Sequence, residues 1–138
     1  DEKARMFDIK SCQMLKEFQH DGVVMSVCLA KIGGEECLFT GSVDDKARMF
    51  AVKRGKMMKE FHGNGAVYSV CVDQINGEDY LFTGSLDGKA RMFNVSSGKM
   101  VKEWEHNCSV LSVCVGKIGG KDYLFTGSMD KKARMFHI

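Results

Sequence analysis

The tetrapeptide Ala-Arg-Met-Phe begins at Ala4, Ala47, Ala90 and Ala133, a spacing of 43 residues each time with no slippage. Ser-Val-Cys keeps the same phase at Ser26, Ser69 and Ser112, and Leu-Phe-Thr-Gly-Ser keeps it at Leu38, Leu81 and Leu124. Between residues 44–86 and 87–129, 27 of 43 positions are identical. A period of this length means that one supersecondary unit has been copied along the chain. Such a unit cannot hide its apolar side alone and must stack on its neighbours.

The unit reads as four short strands. Residues 66–72 are rich in β-branched and aromatic side chains, which suit a pleated surface. Asn76-Gly77 follows, a two-residue hairpin signal because both positions tolerate positive φ, and Gly33-Gly34 and Gly119-Gly120 stand in its place in the other copies. Residues 79–85 form a second strand, and Leu86-Asp87-Gly88 makes the next turn. Residues 89–95 alternate charged and apolar side chains, the pattern of a strand with one solvated face. Ser96-Ser97-Gly98 turns once more into a fourth strand at 99–104. Turn signals this close together leave no room for helices of about eleven residues. With 15 glycines and no proline, the composition fits an array of tight turns. The chain therefore divides into an N-terminal strand pair (1–18), two whole repeats (19–61 and 62–104) and an incomplete repeat (105–138) that lacks its fourth strand.

The repeat resembles that of the WD-repeat β-propeller family. His20 is followed by Val24 and Val27, and His106 by Val110 and Val113. Phe39-Thr40-Gly41-Ser42-Val43-Asp44 looks like the family's second strand and turn, Ala47-Arg48-Met49-Phe50 like its third strand, and Gly98-Lys99 like its Thr-Gly-Lys turn. The resemblance implies an all-β fold of propeller blades, each a four-stranded antiparallel sheet. It also implies a hydrogen-bonded network in each blade, in which Asp44, Asp87 and Asp130 together with His20 and His106 act as structural staples through an Asp–His interaction. The chain departs from the pattern in two ways. Phe7, Phe50, Phe93 and Phe136 stand where the family has Trp, so the indole donor is missing, and Gly63 replaces the second histidine, with His62 one place early.

Closed propellers use about 4–8 blades, more than three repeats supply. Either the chain belongs to a longer array or copies of it join, two copies making six blades being the expected arrangement. In that ring the strand at 14–18 of one copy completes the last blade of the other, and one of the redundant third strands is displaced.

The chemistry-bearing motifs of enzymes are missing: there is no Gly-x-Ser-x-Gly, phosphate loop or His-Glu-x-x-His. No catalytic residue, cofactor site or metal site is assigned, and the expected function is a protein-interaction scaffold rather than an enzyme. The recurring Thr-Gly-Ser is read as fold-bearing. Lys46 and Arg48, Lys89 and Arg91, and Lys132 and Arg134 alternate along the third strands and are read as a solvated face, partly neutralised by Glu17, Glu60 and Glu103. Binding residues collect on loops held by a rigid scaffold. The expected partner-binding loops therefore carry Gln19, His20, Asp21, His62, Asn64, Glu105, His106 and Asn107, together with Asp45, Lys46, Lys89 and Lys132. The expected partner is a protein or peptide; the alternative is a small ligand or glycan held in repeated pockets between blades.

At 44% hydrophobic and 28% charged, with net charge +2, the chain lacks the signature of disorder and the basic excess that nucleic-acid binding favours. No apolar run approaches the ~18 residues of a membrane span, and the charged first residues do not read as a signal peptide. The six cysteines form no Cys-x-x-Cys pair, and Cys28, Cys71 and Cys114 sit inside strand patterns, where cysteine behaves as a small buried hydrophobe. Reduced thiols and a cytoplasmic or nuclear location are the expectation.

Overall fold

Three hairpin turns set the architecture. Asn76 and Gly77 have φ of 52° and 82°, Gly33 and Gly34 have 56° and 84°, and Gly119 and Gly120 have 56° and 78°. Two successive left-handed residues give the turn whose twist matches that of paired strands. In the computed structural model, which describes residues 1–138, these turns join β3 (Val24–Ile32) to β4 (Glu35–Ser42), β7 (Val67–Ile75) to β8 (Glu78–Ser85), and β11 (Val110–Ile118) to β12 (Lys121–Ser128). The first strand of each repeat runs further than its apolar core suggests. The pairs Asp73↔Tyr80, Gln74↔Asp79 and Ile75↔Glu78 carry the ladder right into the turn.

The other strands are β1 (Lys3–Phe7), β2 (Met14–Gln19), β5 (Lys46–Ala51), β6 (Lys56–His62), β9 (Lys89–Asn94), β10 (Met100–Glu105) and β13 (Ala133–His137), and no helix is present. All pairing is antiparallel between strands adjacent in sequence. It gives a pair β1-β2, two four-stranded sheets β3-β4-β5-β6 and β7-β8-β9-β10, and a three-stranded sheet β11-β12-β13. The fold is all-β, built of blade-like sheets.

The sheets stack face to face. Phe39, Ala47 and Met49 of the first four-stranded sheet pack against Val67, Val70 and Leu81 of the second. Phe82, Ala90 and Met92 of the second pack in the same way against Val110, Val113 and Leu124 of the last. An aromatic side chain from each outermost strand meets the phenylalanine of the next sheet's third strand: Phe18 meets Phe50 at 5.3 Å, Phe61 meets Phe93 at 5.6 Å and Trp104 meets Phe136 at 6.1 Å. The innermost strands are tied as well, Val70 N donating to Ser26 Oγ and Val113 N to Ser69 Oγ, both at 3.1 Å.

This stacking corrects the expectation of a solvated third strand. Ala47 and Met49 face the following sheet while Phe50 faces the preceding one, and the Arg48 side chain is only 2% exposed. A sheet covered on both sides offers its middle strands no solvent face, so charged residues there must find partners inside. Lys46 and Lys89 remain half-buried and Lys132 is exposed.

The two ends of the stack are uncovered. Val27 is 56% exposed, whereas its equivalents Val70 and Val113 are 5% and 6% exposed. At the opposite end Met135 is 56% exposed, against 8% and 6% for Met49 and Met92. All six cysteines are free. Cys28 and Cys71 are half-buried between sheets, and burial pushes their thiols up to about 11 and 12. The third of the series, Cys114, lies exposed on the last sheet's open face and not in a core.

Candidate binding face and its staples

The loops joining one sheet to the next run along the same edge as the turns between second and third strands, and the two are knitted together in each copy. Val43 N donates to Val23 O, Leu86 N to Ala66 O and Met129 N to Ser109 O, at 2.9–3.0 Å. Ser85 Oγ donates to Gly65 O and Ser128 Oγ to Cys108 O. A Cβ on Gly22 or Gly65 would come within 3.0–3.1 Å of the backbone nitrogen of Asp44 or Asp87, so close contact between loop and turn needs glycine there.

His20 is buried beneath this edge. Its Nδ1 lies 2.9 Å from Phe18 O and its Nε2 lies 2.7 Å from Thr40 Oγ1. A carbonyl can only accept, so Nδ1 carries the proton and Nε2 accepts from the threonine hydroxyl. His106 repeats the arrangement with Trp104 O at 3.3 Å and Thr126 Oγ1 at 2.8 Å. Burial lowers the pKa of both rings and the nearby guanidinium of Arg48 or Arg134 adds to the effect, so both are held neutral.

The aspartates do not bond to these histidines as the resemblance implies. Each takes the arginine four residues on. Arg91 grips Asp87 with Nη1–Oδ1 at 3.2 Å and Nη2–Oδ2 at 2.5 Å, and Arg134 grips Asp130 at 3.1 and 2.5 Å. A two-bond contact between full charges outcompetes a neutral imidazole for the same carboxylate. In the second repeat Arg91 Nη1 also lies 3.7 Å from where a Gly63 side chain would begin, filling part of the space the missing histidine leaves. Each aspartate caps its own turn too, Oδ1 accepting from the backbone N of Lys46, Lys89 or Lys132.

Arg48 is shared among three carboxylates: Asp44 at 2.7 Å, Glu60 at 3.1 Å and Asp21 at 3.3 Å. Stretched between them, it leaves Nη1 without a partner. Burial alone would raise the Asp44 and Asp87 carboxyls, but the guanidiniums and turn hydrogen bonds outweigh it and hold both low. Asp130 falls to about 2, chiefly through Arg134. The signal for these pairs is present in the sequence as Asp-x-x-x-Arg in all four copies, beginning with Asp1 and Arg5.

Of the residues expected on the binding loops, Gln19, Asp21, Asp45, His62, Asn64, Glu105, Asn107 and Lys132 are exposed on this edge. His106 is half-buried and His20 is buried, both engaged as described. Lys46 pairs with Glu60 at 3.3 Å, and Lys89 with Glu103 at 2.6 Å and Glu105 at 3.3 Å. A hollow of about 260 Å³ opens here among Leu86, Gly88, His106 and Asn107. A larger one of about 510 Å³ lies away from these loops, between the two four-stranded sheets, among Ile32, Met58, Lys59, Glu78 and Ser96. It has no counterpart between the second and third sheets.

The family model described as WD domain, G-beta repeat, matches residues 55–94. No curated protein sequence matches the chain. Among solved structures, the crystal structure of the computationally designed Ika4 protein is similar over 100% of this chain and 81% of its own, with a TM-score of 0.79 at 16% identity, a likeness of fold alone. The matched segment spans most of one repeat, and its Lys-Ala-Arg-Met-Phe and Leu-Phe-Thr-Gly-Ser recur in phase in the flanking copies. Residues 55–94 thus match one WD repeat, and the whole copies on either side of the match fold as four-stranded antiparallel sheets of the same kind.

Proposed function

We propose that this chain is a non-enzymatic interaction scaffold whose partner, a protein or peptide, docks on the edge formed by the sheet-to-sheet loops and the turns beside them. One contrast carries the reading. The backbone bonds that knit loop to turn repeat from copy to copy, while the exposed side chains above them change. Gln19, His62 and Glu105 are equivalent positions; so are Asp21, Asn64 and Asn107, and so are Asp45, Gly88 and Lys131. A constant frame with varied tips is what selective recognition on a repeat scaffold requires. WD-repeat domains generally bind protein partners, which agrees with this reading. A small-ligand function with repeated pockets is less well supported, because the largest cavity occurs at one sheet boundary only.

The test replaces Gln19, His62, Asn64, Glu105 and Asn107 with serine. These side chains are exposed, so the melting temperature is expected to hold. Proteins cross-linked to the parent chain in cell extract should be lost from the variant. Recovery of the same proteins by both would refute the binding face. The ring in which this face operates is proposed to form from two copies of the chain, giving six sheets. A reducing, cytoplasmic or nuclear setting is proposed from the six free thiols. Cell fractionation checks it, and recovery with secreted proteins would be the contrary result.

A further inference from the structure

The hollow of about 510 Å³ lies between the two four-stranded sheets, and its two walls differ in chemistry. From the first sheet, β3, β5 and β6 bring the apolar side chains of Ile32, Met49 and Met58. The wall from the second sheet is polar. Glu78 and Asp79 open β8, and Ser97 comes from the turn after β9. Lys59 also lines the hollow but does not neutralise these carboxylates. Its amine is engaged by the carbonyls of Val95 and Ser96, both at 2.6 Å.

The repeats supply a comparison inside the molecule. In the first whole copy Glu35 stands where the second has Glu78, and Arg54 stands where the second has Ser97. There the Arg54 guanidinium grips Glu35 through Nε–Oε1 at 3.3 Å and Nη2–Oε2 at 3.1 Å. The next carboxylate along follows the same rule. Lys31 pairs with Glu36 at 3.9 Å and Lys117 with Asp122 at 3.4 Å, whereas the residue paired with Asp79 in the ladder is Gln74. The second copy has thus lost both cations that its sisters set against this pair of acids. Glu78 has instead gained two neutral holders. Tyr80 Oη donates to Glu78 Oε2 at 2.8 Å, and Asn94 Nδ2 donates to the same oxygen at 3.0 Å. Their counterparts in the first copy are Cys37 and Ala51. Both donors act on Oε2, so the carboxylate is oriented while Oε1 keeps its capacity to accept.

We propose that this hollow binds a guanidinium carried on an alkyl stem, as in arginine. The guanidinium takes Glu78 beside Asp79, as Arg54 takes Glu35, and the stem lies along Ile32, Met49 and Met58. A planar fork of donors suits a carboxylate better than the point charge of an ammonium, so the lysine counterpart binds less well. The site lies away from the loop edge and does not depend on what docks there.

Two probes test it on the 138-residue chain: N-acetylarginine amide, which presents arginine as a peptide does, and agmatine, a free alkyl guanidine. The methyl resonances of Met49 and Met58 should shift with a Kd on the order of 1 mM, while those of Met92 and Met135 stay in place. Glu78→Gln, at an exposed position, should weaken binding about tenfold or more. Ser97→Arg restores the residue that the first copy carries, and it should occupy Glu78 from within and abolish binding, with the circular dichroism spectrum unchanged. The tighter of the two probes tells whether the ligand is an arginine within a peptide or a free guanidine. No movement at either methionine at roughly ten times that probe concentration overturns the site, as do shifts that persist in both variants. Equal binding of N-acetyllysine amide overturns the choice of guanidinium.

Discussion

Thr40 and Thr126 each donate to a histidine Nε2, but in different surroundings. His20 is 3% exposed, whereas His106 is half-buried beside the hollow at Gly88. A buried acceptor stripped of its donor costs about 1–3 kcal/mol, so Thr40→Val should lie toward the top of that range and Thr126→Val toward the bottom. Urea midpoints at constant m value measure the difference, and equal losses would show that burial does not set the cost. The same rings give a pH dependence. Unfolded, each histidine takes up a proton near 6.5; folded, burial depresses that uptake. In the interval below 6.5 the unfolded chain binds more protons, so stability falls as pH drops into it. The melting temperature should be lower at pH 5.5 than at 7.5, and the gap should narrow in a His20→Asn, His106→Asn double variant. Here the sequence was legible in part. The resemblance marked His20 and Asp44 as members of a network and Thr40-Gly41-Ser42 read as fold-bearing, and the Asp-x-x-x-Arg spacing is on view in every copy. Which side chain wins the carboxylate depends on reach around a turn, and spacing along a chain does not contain that distance.

Strands and turns were the most legible level, because Asn76-Gly77 and its counterparts carry their own conformational requirement. The third strand was misjudged for a physical reason. The alternation Lys-Ala-Arg-Met-Phe looks half-solvated until a sheet is stacked on each side, and then Arg48 is buried and takes Asp44 and Glu60 as partners, with Asp21 reaching in from the exposed loop. Two substitutions probe that stacking. Phe61 is 1% exposed and faces Phe39 and Phe93, so Phe61→Ala should cost about 3–5 kcal/mol. Gly84→Ala would push a methyl to 2.9 Å from Val110 Cγ1 and 3.0 Å from its carbonyl, which backbone cannot relieve; about 1–3 kcal/mol is expected. In Gly127→Ala, with only Ser112 Cβ at 3.8 Å, the isolated fold should be almost unchanged. Denaturation curves for the pair, taken where the chain is monomeric, check the contrast.

For the whole molecule, the repeat made stacking legible, and the shortage of blades made the open ends legible. If copies join there, folding and association are linked and the melting temperature must rise with protein concentration. Scans across a hundredfold dilution should show that rise.

Lys16 places its amine 2.7 and 2.8 Å from the carbonyls of Val52 and Lys53, and Lys59 places its own 2.6 Å from those of Val95 and Ser96. The same clasp thus fastens the first two of the three seams. A protein assembled this way can lengthen or shorten by whole modules without inventing any new chemistry. Its size is then set by how many modules are strung together.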